Sequence, residues 1–288
     1  MQLLSDFVLH RPGTVGDALD LRAELGFDAA VYAGGTELLL AMKLGVLDYA
    51  HLIDVKRIPE LRGIERRDGA VRIGAATTHR EIEHDEVVAR ELPALAALTR
   101  NVANVRVRAA GTLAGNLAFA EPHADPPALL TALDATVTLA GPDGERELAV
   151  EDFVAGPYET ELGDDELITA ITVPVPDEGT RAVYRKFQVL ERPAVGVAAV
   201  GRISDGAWAQ APAIVVGAVD ERPVRVPADG LVGAPCEDAG ALSEVLAAAQ
   251  EAVDPVDDLS GSADYKRHLT GVLVGRALAA LAEEGERG

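Results

Sequence analysis

The 288-residue sequence predicts an α+β protein of two domains, and three observations carry that prediction. Strands and helices alternate up to about residue 176, a polar hinge follows at 177–180, and several strands then precede two closing helices. The length fits two domains at roughly 100–200 residues each. We place an N-terminal domain at 1–176 and a C-terminal α+β domain, with an antiparallel sheet and helices, at 181–288.

Caps and glycines set the predicted element boundaries of the first domain. Thr14 occupies an N-cap position with Asp17 three residues later, a variant of the capping box, and Gly26 ends that helix. An apolar strand at 29–33 runs into a glycine turn and then a helix over 37–44. Further strands are predicted at 7–9, 51–55, 69–75, 135–140 and 167–173, and further helices at 78–89, 92–99 and 126–133.

The segment 101–121 is punctuated by glycine and asparagine, which predicts a mostly non-helical stretch. In the second domain, apolar runs predict the strands 182–187, 195–203, 208–219 and 223–226. Two helices are predicted to close the chain, at about 239–253 and 263–284.

The net charge argues against two classes of partner, nucleic acids and anionic lipid surfaces. The chain carries 47 acidic and 26 basic residues, a formal net charge of -21. DNA binding draws its affinity from cations that neutralise phosphates, so a nucleic-acid role is disfavoured, as is docking on anionic lipid. Local backbone N–H groups can still bind a small anionic ligand.

Cysteine and histidine usage argues against metal sites. Cys236 is the one cysteine, whereas an iron–sulfur cluster needs several cysteine ligands, and the six histidines show no paired spacing. The N-terminal residues lack the basic and apolar regions of a signal peptide, and no apolar run reaches the roughly 20 residues of a membrane span. We therefore expect a cytoplasmic protein without metal.

Two glycine segments carry the predicted chemistry. The first is Gly34-Gly35-Thr36 and the second runs from Gly111 to Asn116, as G-T-L-A-G-N. Consecutive N–H groups in such turns can hold one phosphate each. Neither segment is the G-x-G-x-x-G dinucleotide motif or a G-K-[ST] phosphate loop. Taken singly, each could equally be a tight turn that caps a helix.

The order of several motifs resembles a known family. These are A-G-G-T-E-L-L at 33–39, L-I-D-V at 52–55, I-G-A-A-T-T at 73–78, G-T-L-A-G-N-L-A at 111–118, A-E-P-H-A-D at 120–125, A-L-L-T-A-L-D-A at 128–135, Y-R-K-F at 184–187 and D-Y-K-R-H-L at 264–269. Together they resemble the FAD-binding medium subunit of the molybdenum hydroxylases, the family of carbon monoxide dehydrogenase medium subunits and xanthine dehydrogenase FAD-binding subunits. The resemblance covers nearly the whole chain.

This resemblance implies a fold and a ligand site. It implies a two-subdomain FAD-binding domain of the PCMH/vanillyl-alcohol-oxidase type, with subdomains at about 1–55 and 56–176, and FAD between them. It implies no catalytic residue and no metal ligand in this chain. The implied FAD-binding residues are Val31, Tyr32, Ala33, Gly34, Gly35, Thr36, Glu37, Leu38, Val102, Gly111, Thr112, Leu113, Ala114, Gly115, Asn116, Asp125, Ile168 and Lys186.

Several of these residues have a second interpretation. Asp125 suits the N-cap of the helix that begins at Pro126. Ile168 suits a core strand, and Lys186 a solvated strand position. Outside the implied set, His123 and residues 191–193 suit loops near the cofactor, and His79 a surface or capping position.

Two positions depart from the family pattern. Ala114 stands where the family usually has glycine, and its methyl group is expected to cost on the order of 1 kcal/mol if that residue has a positive φ or lies against the phosphate. Val102 stands where some relatives have an aromatic residue beside the adenine.

The implied function is electron transfer within a heterotrimer. A large molybdopterin subunit would oxidise the substrate, a small 2Fe-2S subunit would carry the electrons, and this chain's FAD would pass them to an external acceptor. The lone cysteine agrees with clusters held by a partner. The alternatives are a self-contained FAD-dependent oxidoreductase and a scaffold subunit that has lost FAD.

Overall fold

The computed structural model describes residues 4–189 and 191–285. Its helices are α1 (Val15–Leu25), α2 (Leu38–Lys43), α3 (His79–His84), α4 (Glu86–Glu91), α5 (Pro93–Arg100), α6 (Val105–Ala110), α7 (Leu113–Phe119), α8 (Pro126–Ala132), α9 (Val150–Phe153), α10 (Ala239–Ala252) and α11 (Ala263–Gly285). Its strands are β1 (Val8–His10), β2 (Ala29–Tyr32), β3 (His51–Asp54), β4 (Ile64–Arg67), β5 (Ala70–Gly74), β6 (Thr136–Gly141), β7 (Gly144–Ala149), β8 (Val154–Gly156), β9 (Glu159–Thr160), β10 (Leu167–Pro174), β11 (Thr180–Val189), β12 (Arg192–Ser204), β13 (Ala207–Trp208), β14 (Ala213–Gly217) and β15 (Val224–Val226).

Three main sheets organise these elements. A parallel sheet has the order β1-β3-β2, an antiparallel sheet the order β4-β5-β10-β6-β7, and a second antiparallel sheet the order β11-β12-β14-β15 with β13 on β12. Strands β8 and β9 form a separate hairpin. The predicted α+β class, with its antiparallel C-terminal sheet and closing helices, is confirmed.

Capping side chains explain where the helix predictions held and where they failed. Thr14 and Asp17 form the predicted capping box of α1. The predicted helix over 78–89 is wrong as one element, because Asp85 has an extended backbone and its carboxylate accepts from Val87 N and Val88 N to start α4. The prediction for 101–121 is also wrong, since Asn104 and Thr112 cap the short helices α6 and α7.

Two strand predictions also need correction. The strand predicted over 208–219 is two elements, β13 and β14, because the chain leaves the sheet between them at a segment that includes Pro212, which has no N–H to donate. Strand β4 was not predicted, and it pairs with β5 in the register Ile64↔Ile73. Its sequence, I-E-R-R, carries little apolar signal because three of its four side chains are exposed.

Three apolar clusters form the core of the described residues. One large apolar cluster joins α1, α5, α7, α8 and the five-stranded sheet, and a second joins the C-terminal sheet to α10 and α11. A small third cluster lies on the parallel sheet and α2. Ala198 of β12 and Val215 of β14 belong to the first cluster, so the C-terminal sheet packs on the N-terminal domain through α8. Within the described ranges, no helix combines the length and apolar character needed to span a membrane.

Candidate functional site

A cavity of about 460 Å³ separates the parallel sheet from the five-stranded sheet. Both glycine segments line it. The predicted site residues on its wall are Val31, Ala33, Gly34, Gly35, Thr36, Glu37, Leu38, Val102, Gly111, Thr112, Ala114, Gly115, Asn116, Asp125 and Ile168.

The first glycine segment is a true loop between β2 and α2. Gly35 has a φ of +67°, which favours glycine because a side chain there is strained. No side chain caps α2. The first backbone N–H of this helix that donates to a carbonyl four residues earlier is that of Leu39, which bonds to Gly35 O at 3.1 Å. The preceding N–H groups therefore have no intrahelical acceptor, which leaves them as donors for a ligand.

The second glycine segment is largely helical, which corrects the predicted turn. Thr112 is the N-cap of α7, and its hydroxyl accepts from Gly115 N at 3.0 Å. Ala114 lies inside this helix, buried and at negative φ, so the strain expected from its methyl group does not arise. The buried side-chain oxygen of Asn116, a residue of this helix, has no hydrogen-bond partner among the described residues.

The two segments touch each other through their backbones. A Cβ built on Gly34 would lie 2.6 Å from Gly111 Cα and 2.8 Å from the carbonyl carbon of Ala110. The Thr36 hydroxyl would lie 3.3 Å from a Cβ on Gly111. Glycine is therefore required at position 34 because backbone passes directly beside it.

Three predicted site residues do not line the cavity. The ring of Tyr32 lies against Gly35 and under the Lys56 ammonium, which is 3.5 Å from the ring centroid. Leu113 faces the core at 1% exposure. Lys186 does not line the cavity, but its ammonium contacts Asp125, which does.

Asp125 is the centre of a buried polar group at the cavity wall. Its Oδ2 lies 2.9 Å from Lys186 Nζ, and its Oδ1 accepts from Tyr184 Oη at 2.9 Å. Lys186 also donates to Asn101 O at 2.8 Å. Burial raises the pKa of Asp125 despite the opposing Lys186, and burial also raises the pKa of Tyr184 well above its usual range.

These contacts settle two alternative interpretations. Asp125 is the N-cap residue of α8, as its second interpretation expects, but its side chain makes no capping hydrogen bond. Lys186 is not a solvated lysine, because its side chain is 11% exposed and ion-paired. Tyr184 was missed as a site residue, although it lies two positions before Lys186 and therefore on the same face of β11.

His79 is not the surface residue that was expected. It is 2% exposed, lines the cavity, and its backbone N–H donates to Gly111 O at 2.9 Å. Burial, assisted by the charge of Arg108, lowers its pKa to about 4. The imidazole is therefore neutral at pH 7 beneath the second glycine segment.

Charged residues at the rim were only partly anticipated. Glu121, His123, Glu191, Arg192 and Pro193 line the cavity, which agrees with the expectation for His123 and 191–193. The Arg192 guanidinium lies 2.8 Å from Glu121 Oε2. Glu121 was missed, although the E-P-H-A-D motif places it four residues before Asp125, and the loop folds back on itself where Ala124 N bonds to Glu121 O.

The donor set fits an elongated dinucleotide better than a metal. The two glycine segments line the cavity together with apolar residues such as Val31, Val102 and Ile168. Backbone donors bind phosphate, and apolar walls suit flat ring systems. The described part of the chain has no group of three His, Cys, Asp or Glu residues placed to hold a metal ion.

Known proteins match the whole fold. Residues 5–176 match the family described as the FAD binding domain in molybdopterin dehydrogenase, and residues 183–281 match the CO dehydrogenase flavoprotein C-terminal domain. The chain is 36% identical over 277 residues to the carbon monoxide dehydrogenase medium chain of Hydrogenophaga pseudoflava, covering 94% of this chain and 96% of that one. It is 31% identical over 206 residues to the xanthine dehydrogenase FAD-binding subunit of Escherichia coli O157:H7, covering 70% of each chain. A solved structure of carbon monoxide dehydrogenase from Hydrogenophaga pseudoflava superposes with a TM-score of 0.93 at 36% identity, covering 97% of this chain and 98% of that one.

Proposed function

Because the chain belongs to the FAD-binding medium subunits of the molybdenum hydroxylases, a family of oxidoreductases, we propose that it transfers electrons from a partner's iron–sulfur clusters to an external acceptor. The resemblance predicted from the motifs is confirmed, and FAD is the cofactor of this family. The observation that carries the proposal is the cavity between the two glycine segments.

We assign the two glycine segments to the FAD pyrophosphate. The N–H groups before Leu39 would donate to one phosphate, and those at the start of α7, together with Asn116, would contact the other. Charge neutralisation there falls to backbone dipoles, since Arg192, the one lysine or arginine among the described residues that line the cavity, is paired with Glu121 at the rim. The apolar walls exclude water from the bound rings.

Asp125 and Lys186 are assigned to the flavin end. Bound FAD supplies two-electron redox chemistry that can also proceed in one-electron steps. The Lys186 ammonium is held in a mostly buried place by Asp125 and by Asn101 O. A fixed positive charge stabilises negative charge that develops nearby on reduction.

Partner chains are required by the electron route. The sequence has one cysteine, so clusters of the cysteine-ligated kind must be held by another chain. We propose a small 2Fe-2S subunit as donor and a large molybdopterin subunit that oxidises the substrate, in a cytoplasmic heterotrimer. We also propose two domains, at 1–176 and 181–288, and a division of the first into subdomains at about 1–55 and 56–176.

The test begins with the purified chain and its visible spectrum. Wild-type protein is expected to bind FAD stoichiometrically. Asn116→Asp places a carboxylate beside the proposed phosphate and should raise the Kd for FAD at least about tenfold. Gln250→Glu makes the same amide-to-carboxylate change on α10 and should leave the Kd unchanged.

Two outcomes would reject the proposal. A protein that takes up no FAD would support the scaffold alternative. Flavin that is reduced directly by a small organic substrate, without partner chains, would support the self-contained oxidoreductase instead.

A further inference from the structure

A chain of alternating charges runs along the cavity rim into the C-terminal domain. We call it the rim cluster, and its members are Lys266, Asp258, His123, Glu121, Arg192 and Glu37. Lys266 Nζ lies 2.6 Å from Asp258 Oδ2, and Asp258 Oδ2 lies 3.4 Å from His123 Nε2. His123 Nδ1 lies 3.2 Å from Glu121 Oε1.

The cluster continues to the first glycine segment. Arg192 lies 2.8 Å from Glu121 Oε2 and 3.6 Å from Glu37 Oε2. The rim cluster therefore joins α11, the loop before it, the loop before α8, the start of β12 and the loop before α2. Three of its connections link residues that are far apart in the sequence.

Lys266 anchors the cluster in the C-terminal domain. Its side chain is 2% exposed, and its ammonium also donates to Val256 O at 3.0 Å. A buried ammonium needs a paired carboxylate, so Lys266 fixes Asp258 and with it the loop 254–262. That loop presents Asp258 to His123.

Both ring nitrogens of His123 face carboxylate oxygens. The Nδ1 contact with Glu121 is a hydrogen bond, and the Nε2 contact with Asp258 becomes an ion pair only when the imidazole is protonated. The imidazolium carries an N–H on each nitrogen and therefore attracts both carboxylates. The groups that face His123 are Glu121 on its own loop, Asp258 on loop 254–262 and Lys266 on α11, with Arg192 of β12 behind Glu121. With His123 protonated, the rim cluster contains three cations and three carboxylates.

We propose that protonated His123 is a positioning residue that clamps loop 254–262 to the cavity rim and so holds the FAD site in its binding shape. The inference rests on the proposed function, because it names FAD as the ligand that the clamp favours. Above the pKa of His123 the cluster carries one excess negative charge beside a ligand that is itself anionic. FAD affinity should therefore fall as pH rises.

The direction of the titration agrees with this geometry. The hydrogen bond to Glu121, against the opposing burial, raises the pKa of His123 above 6.5, and the charges of Glu121 and Asp258 add to the rise. A raised pKa means that the clamp's contribution is complete below pH 6.5 and is lost as pH rises through the higher value in the folded protein.

The test is the pH profile of FAD binding to the full chain, followed by flavin fluorescence. The wild-type Kd for FAD should rise about fivefold to tenfold between about pH 6 and about pH 9. A change of this size is usual when one binding event, here that of a proton, alters the affinity at another site. His123→Gln should show a flat profile at the weaker affinity. His268→Gln, an exposed histidine on α11, is the matched control and should keep the wild-type profile.

A second variant protects against an uninformative loss of folding. Glu121→Gln keeps the side-chain shape, leaves Lys266 paired with Asp258, removes one carboxylate facing His123, and should move the midpoint of the profile to lower pH. A His123→Gln profile that parallels the wild type would overturn the proposal.

A second readout needs no FAD. Amide hydrogen exchange in loop 254–262, corrected for the intrinsic pH dependence, should become faster at high pH in the wild type but not in His123→Gln. Exchange that follows this pattern in a protein that binds no FAD would reject the proposed function and retain the clamp. Exchange without this pattern would reject the clamp whatever the FAD result.

Discussion

The two glycine segments look alike in sequence but are different structures. The first is a loop with Gly35 at positive φ, and it passes against the backbone of the second at Gly34. The second is a capped helix start in which Ala114 is accommodated without strain. The first segment therefore depends on the absence of side chains, whereas the second depends on the hydroxyl of Thr112 and on the backbone N–H of His79.

The largest effect on stability is expected at Gly34, where the first segment lies against the backbone of the second. Gly34→Ala would push a methyl group into the backbone at Ala110 and Gly111. We expect the free energy of unfolding to fall by about 4 kcal/mol, which is near the upper limit usually found for a single substitution. FAD binding should be lost as well. Urea denaturation measures the first effect. Gly13→Ala, where a Cβ meets one oxygen at an ordinary 3.7 Å, is the control and should be nearly neutral.

The next largest effect should come from His79 beneath the second segment. Its pKa is lowered from 6.5 to about 4, so its contribution to stability is present above pH 6.5 and is lost as pH falls through about 4. A difference of about 2.5 units, at 1.36 kcal/mol each, corresponds to about 3 kcal/mol. This contribution is measured by comparing the free energies of unfolding of the wild type and His79→Gln above pH 6.5 and at about pH 4. An equal acid loss in both proteins would contradict the assignment.

A smaller effect is expected at the cap of α7. Thr112→Ala removes the acceptor for Gly115 N and should lower the free energy of unfolding by about 1 kcal/mol. Thr112→Ser keeps the hydroxyl and should restore most of it. If the alanine variant is as stable as the serine variant, the helix start does not depend on this cap.

The smallest effect should come from restoring the family's glycine. Ala114→Gly should destabilise the protein by about 0.5 kcal/mol, because glycine in a helix interior loses more conformational entropy on folding. FAD affinity should stay within about twofold of wild type, a difference of less than 0.5 kcal/mol. Tighter FAD binding by the glycine variant would show that the methyl group does interfere with the ligand.

Local signals were read correctly where a side chain or a strong apolar pattern decides the structure alone. The capping box of Thr14 and Asp17, the apolar strand β2 and the helix α8 followed from neighbouring residues. The same rules fail between 101 and 121, where the glycine and asparagine pattern predicts a mostly non-helical stretch although Asn104 and Thr112 start helices. Cap residues and turn residues are the same amino acids, so the sequence alone did not separate the two structures.

The α+β class, the two glycine segments and the family follow from the amino-acid sequence alone, because each depends on residues close together or on motifs in a fixed order. Tertiary structure alone decided that Tyr184 and Lys186 hold Asp125, that His79 is buried and neutral, and that Lys266 is connected to His123 through Asp258. These facts depend on burial and on contacts between distant residues. Burial sets the strength of an ionic contact and the pKa of a side chain, and no local pattern records it.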